Sequence, residues 1–325
     1  MRFGIISTAD IGVQSVLPGI AASEHEIAAV ASRDGARAED VAEQFDAPSA
    51  YDGYDAMLDD DTLDAVYIPL PNGLHAEWIR RAADAGLHVL CEKPLTGNAA
   101  ETEAVFDYCE ARDVVLMEAF MYRFHPLTER ALEIVETELG EVRSVTSTFT
   151  FRIPDDAEDI RLDPDLAGGS IMDVGCYAIS AARLFLGNPD RVYGETTDRR
   201  DCGVDTEMTG VLSYDDGATA SVQSGFETPL TQYYRVRTTD GWLRADPTFD
   251  IGVENSTSLT YSVDGETTTE QFDPTDHYRL EVEHFADCVE RDVTPRVDRT
   301  ESVEIMRIID AIKESADLGG PVALE

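Results

Sequence analysis

Short apolar runs at 2–7, 26–32, 64–69, 88–91 and 114–118 alternate with stretches of helical periodicity at 11–22, 37–45, 75–85 and 99–111. Strands separated by helices of this length cannot pair as hairpins, so they predict a parallel sheet covered on both faces. The right-handed crossover rule makes it a doubly wound domain. Pro18 predicts a kink or early stop in the first helix. The pattern changes after residue 120. A helix over 127–138 closes at Gly140, strand-like alternation fills 141–152, and a helix covers 175–185. Strands over 207–226, 231–244 and 256–272 turn at Asp215-Asp216-Gly217, Thr239-Asp240-Gly241 and Asp264-Gly265. Helices over 278–290 and 301–316 close the chain. The pattern therefore predicts a doubly wound α/β region up to about residue 120, followed by an α+β region with a mostly antiparallel sheet. A length of 325 residues suits two domains of ordinary size.

The formal net charge is −40, from 65 acidic and 25 basic residues, and the acidic excess runs the whole length of the chain. Such a surface repels nucleic acid and anionic lipid, so neither is expected as a partner. It suits a cytosol at molar salt, where a Debye length near 3 Å screens self-repulsion. We expect an extreme halophile. Only Lys93 and Lys313 are lysines. Five cysteines, an odd number without a CxxC pair, point to free thiols in a reducing compartment. No basic leader opens the chain and the apolar runs fall short of a membrane span, so a cytoplasmic location is expected.

The turn after the first strand reads Ser7-Thr8-Ala9-Asp10-Ile11-Gly12. A dinucleotide-binding turn needs small residues so that backbone amides can approach the pyrophosphate at a helix start. Ser7-x-Ala9-x-x-Gly12 departs from G-x-G-x-x-G but keeps that character. An NAD site places an acid at the end of the second strand for the ribose 2′-hydroxyl. Here Ser32, Arg33 and, one turn on, Arg37 can hold a 2′-phosphate, which favours NADP. Asp34 keeps NAD open.

Cys91-Glu92-Lys93-Pro94 leaves the strand at 88–91. A lysine kept in a chain so poor in lysine offers a compact cation to a reacting hydroxyl or carbonyl. Glu92 can pair with it or orient the nicotinamide ribose; the isomer of the bond before Pro94 is left open. Asp173 and Tyr177 are four apart on a predicted helix and share a face. A phenol beside a lysine exchanges protons readily, although a helix cap and a core tyrosine would look the same. Arg123 and His125 in the segment leaving the first domain, and Arg161, are further polar candidates for the substrate region. No histidine group has metal-ligand spacing, no phosphate loop of the ATPase kind occurs, and no Gly-x-Ser-x-Gly elbow is present.

Together these motifs resemble the glucose–fructose oxidoreductase / inositol dehydrogenase superfamily. The carriers are the turn from Gly4 to Gly12, Asp64-Ala-Val-Tyr-Ile-Pro-Leu-Pro-Asn72 with Gly73-Leu-His75, the Lys93 motif, Met117-Glu-Ala-Phe-Met-Tyr-Arg-Phe-His-Pro126, and Gly168-Gly-Ser-Ile-Met-Asp-Val-Gly-Cys-Tyr177. The chain is most similar to the branch holding dimeric dihydrodiol dehydrogenase and NADP-dependent D-xylose dehydrogenase. That resemblance implies an α/β fold, with an N-terminal Rossmann dinucleotide-binding domain, 1–120, and a C-terminal α/β domain, 121–325, carrying an open, mainly antiparallel sheet, and it implies catalytic roles for Lys93, Asp173 and Tyr177. Tyrosine rather than histidine at 177 favours aldoses over inositols. The resemblance adds Pro69, Asn72, His75, Glu92 and Lys93 to the cofactor site. It also implies a homo-oligomer, dimer or tetramer, built on the outer face of the second sheet. The function it implies is oxidation of an aldose such as D-xylose to its lactone. A trans-dihydrodiol dehydrogenase, a ketose or 1,5-anhydrofructose reductase, and a non-catalytic dinucleotide-binding protein remain the alternatives.

Overall fold

A computed structural model describes residues 1–324. The chain divides after Met121, but not into two consecutive halves. Asp276–Val303 returns to the first unit, and the second comprises Tyr122–Thr275 and the chain from Glu304 onward. The split at 120/121 therefore follows sequence order where the compact units do not.

The first unit holds a parallel sheet of β1 (Arg2–Ile6), β2 (Glu26–Ser32), β3 (Ser49–Asp52), β4 (Ala65–Ile68), β5 (His88–Glu92) and β6 (Leu116–Ala119). Its strand order is β3-β2-β1-β4-β5-β6. The order reverses between β1 and β4, the place where open α/β sheets bind ligands beyond their carboxyl ends. The connecting helices are α1 (Leu17–Ala21), α2 (Gly35–Gln44), α3 (Tyr54–Leu58), α4 (Asn72–Asp84) and α5 (Ala99–Glu110). β3 was not foreseen. It is a four-residue edge strand of alternating half-buried and exposed residues, so it carries no apolar run. Pro18 does not break the first helix. A π turn, Gly12–Val16, precedes it and places Pro18 in the first turn of α1, where its missing N–H costs nothing.

The second unit begins with α6 (Pro126–Glu138), β7 (Val142–Arg152) and α7 (Cys176–Leu186), followed by β8 (Arg191–Thr197), β9 (Glu207–Ser213), β10 (Thr219–Gly225), β11 (Glu227–Thr238), β12 (Gly241–Ala245), β13 (Thr257–Val263) and β14 (Glu266–Phe272). Helices α8 (His277–Arg291) and α9 (Arg299–Leu318) and the short β15 (Val322–Ala323) complete the chain. The nine-stranded sheet runs β14-β13-β12-β11-β7-β10-β9-β8-β15, antiparallel except where β7 and β10 lie parallel. Phe149, Tyr177 and Phe249 pack ring to ring between this sheet and α7. β8 escaped the sequence pattern because only Val192 and Gly194 of its seven residues are buried. The stretch from Pro164 to Leu186 is long and apolar enough to cross a bilayer, contrary to expectation, but 78% of that window is buried inside the protein. A core helix explains it.

α8 joins the first unit by close backbone contact. A Cβ at Gly19 would lie 2.9 Å from the Arg279 backbone nitrogen, and the Phe3 and Phe285 rings are 6.1 Å apart. All five cysteines are free, four of them buried.

Candidate active site

The turn after β1 is held from several sides. Ser7 has φ 109°, a backbone region that favours glycine, and its N–H donates to the Ala31 carbonyl at 3.0 Å. That conformation explains why glycine is the usual residue there. Gly12 sits over β4: a Cβ would meet Pro69 at 3.3 Å and Tyr67 at 3.4 Å. Thr8 is buried and Ala9 half-buried within the turn, whereas Asp10 and Ile11 are exposed. The Arg37 guanidinium donates to the Thr8 carbonyl at 3.1 Å and lies 3.7 Å from Asp10. Arg37 thus belongs to the turn itself.

Ser32 is buried at the end of β2, with its hydroxyl 3.5 Å from that of Thr8 and accepting from the Asp34 N–H at 3.2 Å. Arg33 is exposed beside it. Asp34 caps α2, its Oδ1 accepting from the backbone N–H groups of Ala36 at 3.1 Å and Arg37 at 3.4 Å. Asp34 is therefore committed to a helix start, while Ser32 ends β2, Arg33 follows it exposed, and Arg37 reaches back to the turn after β1. These residues suit the extra phosphate of NADP.

The Lys93–Pro94 peptide is cis. Lys93 is half-buried and Glu92 buried. Tyr67, fully buried on β4, donates its hydroxyl to Glu92 Oε1 at 2.6 Å. Burial first, then the Glu92 charge, pushes the Tyr67 phenol well above its ordinary range, so it remains a donor. His75 is fully buried, with Nδ1 3.0 Å from the Pro94 carbonyl and Nε2 2.7 Å from that of Leu70. Its role is to tie the loop after β4 to the turn carrying Lys93, and burial lowers its pKa. Pro69 is buried under Gly12, and Asn72 opens α4 at the same edge.

Asp173 and Tyr177 belong to the second unit. The helix that holds them opens as a π turn, Ile171–Gly175, rather than the regular α turn expected. Such turns recur at functional sites, and this chain's other one follows the cofactor turn. Asp205 anchors the start, its Oδ2 accepting from the Ser170 hydroxyl at 2.7 Å and the Ile171 N–H at 2.9 Å. The second lysine, Lys313, lies near Asp205; burial lowers its pKa while Asp205 and Asp310 attract its charge.

Arg161 meets Asp173 at 3.0 Å and Asp159 at 3.1 Å. Partial burial opposes its charge, but the two carboxylates raise its pKa. Tyr177 is 4% exposed, its ring against Tyr122 at 5.9 Å and Phe149 at 5.5 Å. Arg123 and His125 are buried; His125 Nδ1 accepts from the Leu127 N–H at 3.0 Å and caps α6. Helix capping uses Nδ1 of that histidine. Among the described residues no His, Cys, Asp or Glu group could hold a metal ion.

Sequence reasoning passed over Tyr67, Glu118, Asp205 and Glu281. Each is a polar side chain in an apolar setting, and that was the available signal: Tyr67 and Glu118 sit in wholly buried strands, and Glu281 shares the buried face of α8 with Tyr278, Val282 and Phe285.

Residues 1–120 match an oxidoreductase family with an NAD-binding Rossmann fold, and residues 129–244 match the GFO/IDH/MocA C-terminal domain. The chain belongs to the GFO/IDH/MocA family. A D-xylose 1-dehydrogenase (NADP(+)) of Haloferax volcanii is 68% identical over 325 residues, covering 100% of both chains. Among solved structures, a 3-ketoreductase from Actinomadura kijaniata, in complex with NADP and TDP-benzene, matches with TM-score 0.91 and 34% identity over 97% of both chains. An aldose–aldose oxidoreductase from Caulobacter crescentus, complexed with glycerol, has TM-score 0.92 and 29% identity, covering 100% of this chain and 99% of its own. Structures of the ketoreductase also exist with one lysine or one tyrosine replaced, at the same separation along the chain as Lys93 and Tyr177 here.

Proposed function

We propose that this protein is an NADP-dependent aldose 1-dehydrogenase that oxidises D-xylose, or a closely related aldose, to its lactone. The observation that carries this reading is the full-length 68% identity to the Haloferax enzyme. The Ser32–Arg33–Arg37 cluster and the committed Asp34 support the cofactor choice. NADP, when bound, supplies the hydride acceptor. Lys93 places positive charge beside the C1 oxygen as it develops alkoxide character. Tyr177 takes the proton of that hydroxyl. Asp173, braced by Arg161, binds a neighbouring sugar hydroxyl.

A second reading is reduction of a ketosugar, favoured by the resemblance to the 3-ketoreductase. Following reduced-nicotinamide absorbance in both directions at about 1 M KCl, with NADP(H) and panels of aldoses and ketosugars, separates the two. A sugar-dependent rise with NADP and D-xylose supports the first. Turnover only of ketosugars with NADPH supports the second, and none in either direction with the cofactor bound rejects both.

Free thiols and the acidic surface support a reducing cytosol of high salt, and the Haloferax relative fits that source. We further propose that the outer face of the second sheet joins two copies. It carries a groove of about 510 Å³ lined by Thr148, Thr209, Gln223 and Tyr233, with Tyr193 and Val211 exposed on neighbouring strands. Light scattering after size exclusion should give a dimer or tetramer, and Val211→Arg should shift it toward monomer; a monomeric wild type at high concentration rejects this.

A further inference from the structure

β6 is an apolar strand of four buried residues, and one of them is Glu118, with no exposed surface. A buried carboxylate costs several kcal/mol unless charge and hydrogen bonds compensate it, and leucine would fill the position at no such cost. Glu118 Oε1 accepts the Leu95 N–H at 2.9 Å. Leu95 stands two residues beyond Lys93, across the Lys93–Pro94 bond, so this carboxylate grips the turn that carries the lysine. Among the described residues no close hydrogen-bond partner meets Oε2, and the Ser302 hydroxyl is the group that acts on the carboxylate from outside its own turn.

The groups that act on the carboxylate come from two sides. From β5 and its turn come the Lys93 ammonium, which attracts it, and the Cys91 thiol, which its charge disfavours as thiolate. From α9 come the Ser302 hydroxyl, buried and facing it, and the Glu301 carboxylate, which repels it. Lys93 is the cation in this set.

We infer that Glu118 is a positioning residue for Lys93, fixing its turn through the Leu95 N–H and holding its ammonium by charge. This rests on Lys93 being the catalytic cation. Burial raises the Glu118 pKa to about 7, against the opposing pull of Ser302, Leu95 and Lys93. Above that pH the carboxylate is ionised and Lys93 is held. Below it the proton neutralises the carboxyl and weakens the grip, so sugar oxidation falls.

The test compares Glu118→Gln with wild type in kcat against pH, NADP affinity by fluorescence, and thermal stability at about 1 M KCl. Glutamine still accepts the Leu95 N–H but carries no charge. The expected result is a kcat about tenfold lower, the loss when one charge-assisted bond becomes neutral. The limb near pH 7 should vanish while the NADP Kd stays within a few-fold. An unchanged kcat profile overturns the inference, as does a loss confined to NADP affinity. Ser302→Ala is the second variant, for use if Glu118→Gln does not fold. Without that hydroxyl the ionised form is less favoured, so the limb should move to higher pH; an unmoved limb overturns the inference as well. Lys93→Met separates the two levels: if it keeps normal kcat, the reading of Lys93 itself fails, whatever Glu118 does.

Discussion

Replacing Glu281 with methionine should make the protein more stable. Glu281 lies on the buried face of α8, 1% exposed, and among the described residues neither carboxylate oxygen has a hydrogen-bond partner. It cannot swing outward, because α8 is locked on α1 where Gly19 meets the Arg279 backbone. Burial, then the charge of Glu92, pushes its pKa well above the ordinary carboxylate range, so the native state keeps this proton. A buried polar group without partners costs about 1–3 kcal/mol. Methionine is close in length, adaptable and apolar, and should recover an amount of that order. For a unit of this size, each kcal/mol moves Tm by about 2–4 °C.

The pH dependence gives the sharper test. Because the folded pKa is raised, the contribution of Glu281 is most favourable below the unfolded carboxylate pKa of about 4.3. It is lost as pH rises toward the folded value, since the unfolded chain releases a proton that the native state retains. Glu281→Met lacks this slope. The stability gap between variant and wild type should therefore widen from about pH 5 to pH 8, measured by urea unfolding at fixed molar KCl. A destabilised variant, or a gap that does not change with pH, would refute the reasoning.

Ser7→Gly relieves a positive φ, a strain of order 1–3 kcal/mol, against a glycine entropy cost of about 0.5–1 kcal/mol; denaturant titration should show a net gain with NADP affinity kept. Arg33→Ala should raise the KM for NADP about tenfold or more and leave NAD unaffected, whereas Arg37→Ala should weaken both, because Arg37 also holds the Thr8 carbonyl; equal effects of Arg33→Ala on both cofactors would remove it from the 2′-phosphate site. With a net charge of −40 the fold should loosen at low salt, and full native circular dichroism at about 0.1 M KCl, where the Debye length is about 10 Å, would contradict this. Lys93→Met and Tyr177→Phe should each lower kcat by roughly 10²–10⁴ with little change in cofactor affinity, and the double variant should lose less than the product of the two; near-normal turnover by Tyr177→Phe would leave it a core residue.

The two-part architecture was legible because hydrophobic period carries it. β1, β2, β4, β5 and β6 are apolar runs, and the turns at Gly217 and Gly265 punctuate the second sheet. What escaped was whatever burial does not write into the sequence. β3 is an exposed edge, and α8 reads as a helix without revealing which unit it covers. The two π turns leave the residue pattern helical while changing the backbone register.

Among the candidate residues, those read from chemistry and those read from position fared differently. Ser32, Arg33 and Arg37 follow one another where β2 ends and α2 begins, a local relation that sequence spacing shows. His75 and His125 were read as polar groups near a ligand, yet both hold backbone: His75 faces two carbonyls and His125 accepts an amide. A histidine's role follows from what its nitrogens meet, and those partners come from distant segments. The buried acids Glu118 and Glu281 show the converse. Each breaks an apolar pattern, which sequence displays, but only the fold brings one behind Lys93 and the other behind Glu92. In a chain covered with carboxylates, acidic residues on the surface carry solubility, and these two are distinguished by standing where solvation is lost. Lys93 is thus set among carboxylates whose protonation the interior controls, and a lysine's readiness to hold charge at a reacting oxygen depends on that setting as much as on its own position.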